Sequence, residues 1–204
     1  MVKLIFPCDY IGITSGFKSS HKAIDLGWSK SRGGPNHKIL APADGKIVYV
    51  KNNYKTKDSK GNSYGNYIKI SHTDGISTLL AHLKYNSINV KVGDKVKKGQ
   101  TIGIMGDTGY ATGIHCHYEV RINNDKVNPL KYTYALQNQY IGANTKLKYK
   151  PLILKGEDSD MNKINDDIID DSVVEDDVIF EYVCNKTGMY KIQLNENEKL
   201  VIKD

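Results

Sequence analysis

The stretch Gly109–Val120 reads GYATGIHCHYEV, and its two histidines constrain the chain more than any other feature. His115 opens a run to Ile122 with strand character, and side chains two apart on a strand share a face. His115 and His117 therefore project side by side, while Cys116 points the other way and packs into a core. Gly103, Gly106, Gly109 and Gly113 lead into the pair, which places it at the mouth of a groove. One imidazole can then hold a metal ion while the other moves protons beside it. The remaining ligands must come from elsewhere in the chain.

Taken in order, residues 6–20 read as a loop with a short strand. His21 and Asp25 follow, four apart in HKAID. Residues i and i+4 share a face on a helix or a strand, so imidazole and carboxylate converge in either case, as a Zn²⁺ site requires. Residues 29–38 are rich in turn formers, and His37 there is read as a solvated bystander. Lys46–Lys51 is a strand by its β-branched and aromatic content. Residues 52–65 read as a mobile polar loop. Tyr67–His72 and Ser77–Leu83 form a hairpin around Thr73-Asp74-Gly75, with His82 at the end of an apolar strand and His72 in a structural role. Thr101–Met105 is a short buried strand. Val127–Leu130 closes the unit, because Pro129 cannot continue a ladder.

Many short strands without a convincing amphipathic helix predict an all-β domain over residues 1–132, an antiparallel sheet core with a groove walled by loops. Residues 133–177 are expected to be a linker. From Glu157 to Asp177 it carries ten acidic residues and one Lys, too much charge to bury. Asp158, Asp160 and Asn162 open like a calcium loop, but Lys163 and Ile169 stand where Gly and the bidentate Glu belong, so no calcium site is expected. Residues 178–204 read as a small β element for docking or for self-association.

Charge is uneven: 23 Lys and Arg against 9 Asp and Glu in residues 1–150, and 6 against 14 in residues 151–204. The first part, at +14, favours an anionic partner such as an anionic wall polymer. No helix-turn-helix, RNA-binding or zinc-finger signature accompanies it, so nucleic acid is not expected. Cys8, Cys116 and Cys184 make neither a disulfide framework nor a CxxC zinc pattern, and are read as reduced thiols. No run approaches the roughly 18 apolar residues of a membrane span. MVKLIFPCDY is too short for a secretory signal, so the product is expected to be made in the cytoplasm and to act elsewhere by another route.

Zinc hydrolysis needs three protein ligands and an open position for water. Two histidines and an aspartate meet that need, and a further His can exchange a proton. HExxH is absent, which excludes the helical zinc-protease scheme. HKAIDL, YGNYIKISH, LLAHL, VKVGDKVKKGQTIGIMGDTGYATGIHCHYEV and VNPL together resemble the lysostaphin-type (LytM-type) zinc endopeptidases over about residues 12–132. The resemblance implies His21, Asp25 and His117 as zinc ligands. It implies His115 as the group acting on the attacking water and His82 as the group holding that water or the oxyanion. HCHYE stands in place of the family's common HLHFE. Tyr10 is the nearest match to a tyrosine that assists the oxyanion in some members, Asn66 is a second groove candidate, and Glu119 stands behind the ligands. The implied activity is hydrolysis of peptide bonds in the stems or cross-bridges of bacterial peptidoglycan, by a phage or prophage lysin or a tail-associated protein. The alternative is a virion structural protein that uses the fold to bind wall. Some members of the fold have lost their ligands and act as activators, whereas all five residues are present here.

Overall fold

The computed structural model describes residues 2–30, 34–58 and 63–135, together with the backbone of five later strands. In chain order the first strands are β1 (Leu4–Ile5), β2 (Tyr10–Ile11), β3 (Ile13–Ser15), β4 (Ile24–Leu26), β5 (Lys38–Leu40) and β6 (Gly45–Lys51). Next come β7 (Asn66–Ser71), β8 (Ile76–Leu83), β9 (Lys95–Val96), β10 (Thr101–Ile104), β11 (Cys116–Ile122), β12 (Asp125–Val127) and β13 (Thr133–Tyr134). The described residues contain no α-helix. A 3-10 turn at Pro129–Lys131 is capped by Asn128, whose Oδ1 accepts from Leu130 N. The all-β expectation holds.

An eight-stranded antiparallel sheet runs β3-β4-β11-β8-β7-β6-β9, with β12 added to β11. β7 alternates as a half-buried strand should, while the central β8 is buried at nearly every position. Ile24, Leu26, Cys116, Tyr118, Val120, Leu80, Ile68, Ile70 and Ile47 turn to one face and form the core with Phe6, Ile39 and Ile102. Cys116 is fully buried there, as its parity predicted. The opposite parity of β11 carries His117, Glu119 and Arg121, which are paired across to Ala81, Leu79 and Ser77 of β8. The functional side chains belong to that second face.

The β7–β8 hairpin turns through Asp74 and Gly75, both at positive φ, as a two-residue hairpin loop requires. Asn123 and Asn124, also at positive φ, turn β11 into β12. Pairing continues past the expected domain end at residue 132: β13 lies parallel to β1, and β14 (Tyr140–Ile141) lies parallel to β2. Further on, β15 (Lys146–Lys148) pairs with β16 (Glu181–Val183), and β17 (Ile192–Leu194) with β18 (Leu200–Ile202). The acidic stretch, the calcium-like loop and Cys184 lie outside the described residues. No helix among the described residues is long and apolar enough to cross a membrane.

Two sequence expectations are corrected. His37 is not solvated: it is buried at 4% exposure, its Nδ1 is 2.7 Å from Asp9 Oδ1, and its Nε2 accepts from Ser29 N at 3.3 Å. A carboxylate from 28 residues away gives the imidazole a partner inside, which removes the penalty of burying it. Residues 56–58 of the expected mobile loop are tied to Gly109: Asp58 N donates to Gly109 O at 2.7 Å, and Gly109 N donates to Thr56 O at 2.9 Å.

Candidate metal centre

Strand register joins the two motifs. In β11 and β4, His117 sits directly opposite Asp25, and residues opposed across an antiparallel pair share a face. His21 precedes β4 in a tight turn closed by reciprocal backbone bonds with Lys18, and its ring swings back over Asp25. The result is a triangle of donor atoms. His21 Nε2 is 3.2 Å from Asp25 Oδ1, His117 Nδ1 is 3.1 Å from the same oxygen, and the two nitrogens are 3.3 Å apart.

The outer hydrogen bonds decide which atoms face the middle of the triangle. His21 Nδ1 lies 3.2 Å from Gly16 O, and a carbonyl can only accept, so the proton is on Nδ1. His117 Nε2 lies 3.2 Å from the Glu119 carboxylate, which likewise takes the proton of that nitrogen. The inner atoms, His21 Nε2 and His117 Nδ1, are then bare lone pairs facing each other and a carboxylate oxygen. Three acceptors at van der Waals distance repel one another unless a cation lies among them. Tetrahedral bonds of about 2.0–2.1 Å separate their donors by about 3.3 Å, so the edges fit a zinc-sized ion. Without an ion, a proton is drawn in. Burial depresses His117, but its bonds to Asp25 and Glu119 more than offset this and raise it above the usual range. Burial raises Asp25, and the three surrounding imidazoles overcome that and lower it.

His82 and His115 repeat the pattern. His115 Nδ1 is 2.8 Å from Gly113 O, and His82 Nδ1 is 2.8 Å from Thr108 O. Each therefore carries a proton on Nδ1 and turns Nε2 inward. Their rings are 4.7 Å apart, and His115 Nε2 is 3.7 Å from Asp25 Oδ1. Burial, then the neighbouring His115, pushes His82 down to about 4, so it stays neutral at ordinary pH. His115 precedes the strand proper and is held by a bridge to Gly106.

His82 reaches the site through a backbone irregularity. Between the pairs Leu80–Ile68 and Leu83–Asn66, β8 has one residue more than β7, and His82 has φ +60°. By simple alternation from Leu80, position 82 would face the core. The bulge turns it onto the His117 side, a common use of bulges beside functional sites. A non-glycine residue at positive φ is strained, and Thr108 O and the bond from His82 N to Tyr64 O hold it there.

Behind His117, Glu119 is fully buried and accepts from Tyr64 Oη at 2.7 Å, Lys126 Nζ at 2.6 Å, and Arg121 Nε and Nη2 at 3.0 and 2.7 Å. Burial raises its carboxyl, but the bonds from His117, Lys126, Tyr64 and Arg121 win and hold it far below the carboxylate range. The sequence reading missed Tyr64, whose ring is 5.7 Å from His117. It also missed Arg121 and Lys126 as supports. Arg121 was findable, since it continues the 117, 119, 121 alternation.

The two groove candidates sit differently from their expected place. Asn66 is fully buried, with Oδ1 accepting from Tyr54 N and Nδ2 donating to Tyr54 O and Leu83 O. Its amide is used to tie the 52–65 segment to the end of β8, which corrects the groove reading. Tyr10 is 7% exposed and stacks on His37 at 5.1 Å. It therefore packs in the interior with the Asp9–His37 pair.

Comparison with known proteins agrees with this geometry. The profile of peptidase family M23 matches residues 19–129, which contain all five site residues. The DD-carboxypeptidase/endopeptidase Mpg of Neisseria meningitidis serogroup B is 40% identical over 110 residues, 54% of this chain and 22% of that relative. The murein hydrolase activator NlpD of Escherichia coli is 35% identical over 115 residues, 56% of this chain and 26% of that relative. The chain thus spans about a quarter of the length of these curated relatives. A zinc-containing peptidase from Vibrio cholerae has a TM-score of 0.52 at 30% identity, over 62% of this chain and 39% of that one. On the match over more than half its length, the chain belongs to peptidase family M23.

Proposed function

We propose that this chain is a zinc-dependent endopeptidase that hydrolyses peptide bonds in the stems or cross-bridges of bacterial peptidoglycan. The observation that carries the proposal is the convergence of side chains: two imidazoles and a carboxylate around one point, with two more imidazoles beside it. His21, Asp25 and His117 would hold the ion, which when bound supplies Lewis acidity and a water of lowered pKa, toward about 7. The chain's own groups do the rest. His115 Nε2 accepts a proton from the attacking water and returns it to the leaving amine. His82 Nε2, neutral down to about pH 4, accepts a hydrogen bond and so orients that water. Carbonyls of Gly113 and Thr108 keep both rings in the tautomer these roles need.

The test is hydrolysis of purified cell walls with and without a chelator, with mass spectrometry of the released peptides to identify the bond. Equal clearing in both removes the metallopeptidase reading. His115→Ala should lose about 10²–10⁴-fold in rate while still binding metal. A second reading, a wall-binding or activating protein, is favoured by the likeness to the murein hydrolase activator. On that reading His115→Ala keeps its working function. The proposal extends to action at the wall, to retention there by anionic polymers drawn to the +14 segment, and to deployment as a phage lysin or tail-borne enzyme. Lysis of susceptible cells by protein added from outside tests that deployment.

A further inference from the structure

A row of aromatic rings leads away from the metal centre along the same face of the sheet. Tyr64 packs 5.7 Å from His117, Tyr67 lies 5.4 Å from Tyr64, and Tyr49 stacks on Tyr67 at 4.8 Å with only 15° between the planes. Tyr49 is 42% exposed. Burial, then the neighbouring Tyr49, raises the Tyr67 hydroxyl to about 12.

The backbone places Tyr49 there by a specific device. Between the pairs Ile47–Ile70 and Tyr49–Lys69, β6 carries one extra residue, Val48. Without that bulge Tyr49 would oppose Ile68 and point into the core. With it, Tyr49 joins Tyr67 and Lys69 on the face that holds His117. This is the second bulge in the sheet to turn a side chain onto that face, after the one at His82, and bulges are features that re-aim side chains. Lys126 Nζ stands 5.8 Å from the centre of the Tyr64 ring, adding a donor at the border of the row.

We infer that Tyr64, Tyr67 and Tyr49 form a carbohydrate-stacking strip that holds the glycan strand of peptidoglycan beside the centre where its peptide is cut. The inference rests on the proposed function for its ligand. A pyranose has an apolar C–H face and a rim of hydroxyls. It matches a platform in which the exposed Tyr49 ring is backed by the half-buried Tyr67 and Tyr64, with an ammonium group at the border, just as other amphipathic groups match aromatic surfaces. The strip is continuous with the centre, which suits a substrate whose peptides branch from its sugars.

Two measurements test this. The first is retention on glycan strands stripped of their peptides, which needs no catalysis. Tyr49→Ala should weaken retention roughly fivefold, the size of one lost aromatic contact, and Tyr49→Phe should restore it. The second compares hydrolysis of intact wall with hydrolysis of a glycan-free cross-linked peptide. Tyr49→Ala should slow the first by a similar factor and leave the second unchanged. Unaltered retention in Tyr49→Ala overturns the strip, as does a parallel loss on both substrates. Retention that disappears at high salt and ignores Tyr49 also overturns it, since lysines rather than rings would then hold the wall. If the wild-type protein cuts neither substrate but still binds glycan through Tyr49, the strip stands and the peptidase reading fails.

Discussion

Replacing Glu119 by Gln separates the direction of a hydrogen bond from its charge. The carboxylate receives five bonds from four groups, His117, Tyr64, Lys126 and Arg121, and is itself fully buried. The amide keeps one acceptor oxygen and turns an NH₂ toward donors. It can satisfy two of the four groups, and Arg121 and Lys126 lose their counter-charge. Removing one partner of a buried ion pair costs about 3–5 kcal/mol. The lower end applies here, about 3 kcal/mol, because Arg121 and Lys126 are 20% and 31% exposed and can recover water. Metal affinity should fall about 10–100-fold as His117 loses the acceptor that fixes its tautomer. The sign of the pH effect follows from the lowered carboxyl. Its stabilisation is complete above the unfolded value of 4.5 and is lost as pH falls through the folded value. Acid unfolding of Glu119→Gln should therefore be shallower below pH 4.5 than that of the parent. Urea unfolding in chelator, followed by competition titration of the ion, measures both effects. A variant within about 0.5 kcal/mol of the parent, with unchanged affinity, refutes the reasoning.

Three further outcomes are expected. Metal should be released on acidification, starting above pH 6.5, because the raised His117 takes up a proton in the ion's place; spectroscopy of a cobalt-substituted sample against pH follows it. Gly65→Ala should cost at least about 1–3 kcal/mol, since Gly65 has φ +60° and a Cβ would lie 2.3 Å from the Thr108 carbonyl. It should also lower activity, because that carbonyl orients His82, and thermal melts with rate measurements check both. Burial lowers His72, which the Asp44 carbonyl only partly offsets, so the folded state keeps it neutral while the unfolded chain takes a proton below pH 6.5. Stability should fall there by up to about 1.4 kcal/mol per pH unit, and His72→Gln should flatten that slope in denaturant titrations at several pH values.

The parts of the site legible in the sequence are those set by local period. Two histidines two apart on a strand share a face whatever the fold, and so do His115's successors Glu119 and Arg121. The pairing of His117 with Asp25 is different. It is a register between residues 92 apart in the chain, and strand alternation says nothing about which partner a strand takes. His82 is the sharper case, because counting from Leu80 assigns it to the core, and only an unannounced bulge at a non-glycine residue sends it to the metal side. His37 misled for a related reason. Its Gly, Pro and Asn neighbours signal a surface loop, but burial was decided by Asp9 and by the Ser29 amide, both distant in local pattern. Asn66 sits beside a Tyr and a Gly that look groove-like, yet its amide satisfies three backbone groups inside.

The arrangement of charge explains why two carboxylates so near each other have different work. Glu119 faces Arg121 and Lys126, and those two cations more than cancel it. What it offers His117 is therefore a direction for a proton rather than an excess of negative charge. Asp25 faces imidazoles only, so it is the one uncompensated negative group among the inward atoms. A divalent ion held there leaves the centre with a net positive charge, in partial burial where such a charge acts strongly. On the proposed function, a peptide carbonyl under attack would gain negative charge on its oxygen, and such a centre would favour that state over the neutral substrate. Had Glu119 lacked its cations, the pair of carboxylates would neutralise the ion and the centre would bind metal well without favouring an oxyanion. Arg121 and Lys126 thus belong to the chemistry of the site even though neither faces the point where His21, Asp25 and His117 converge.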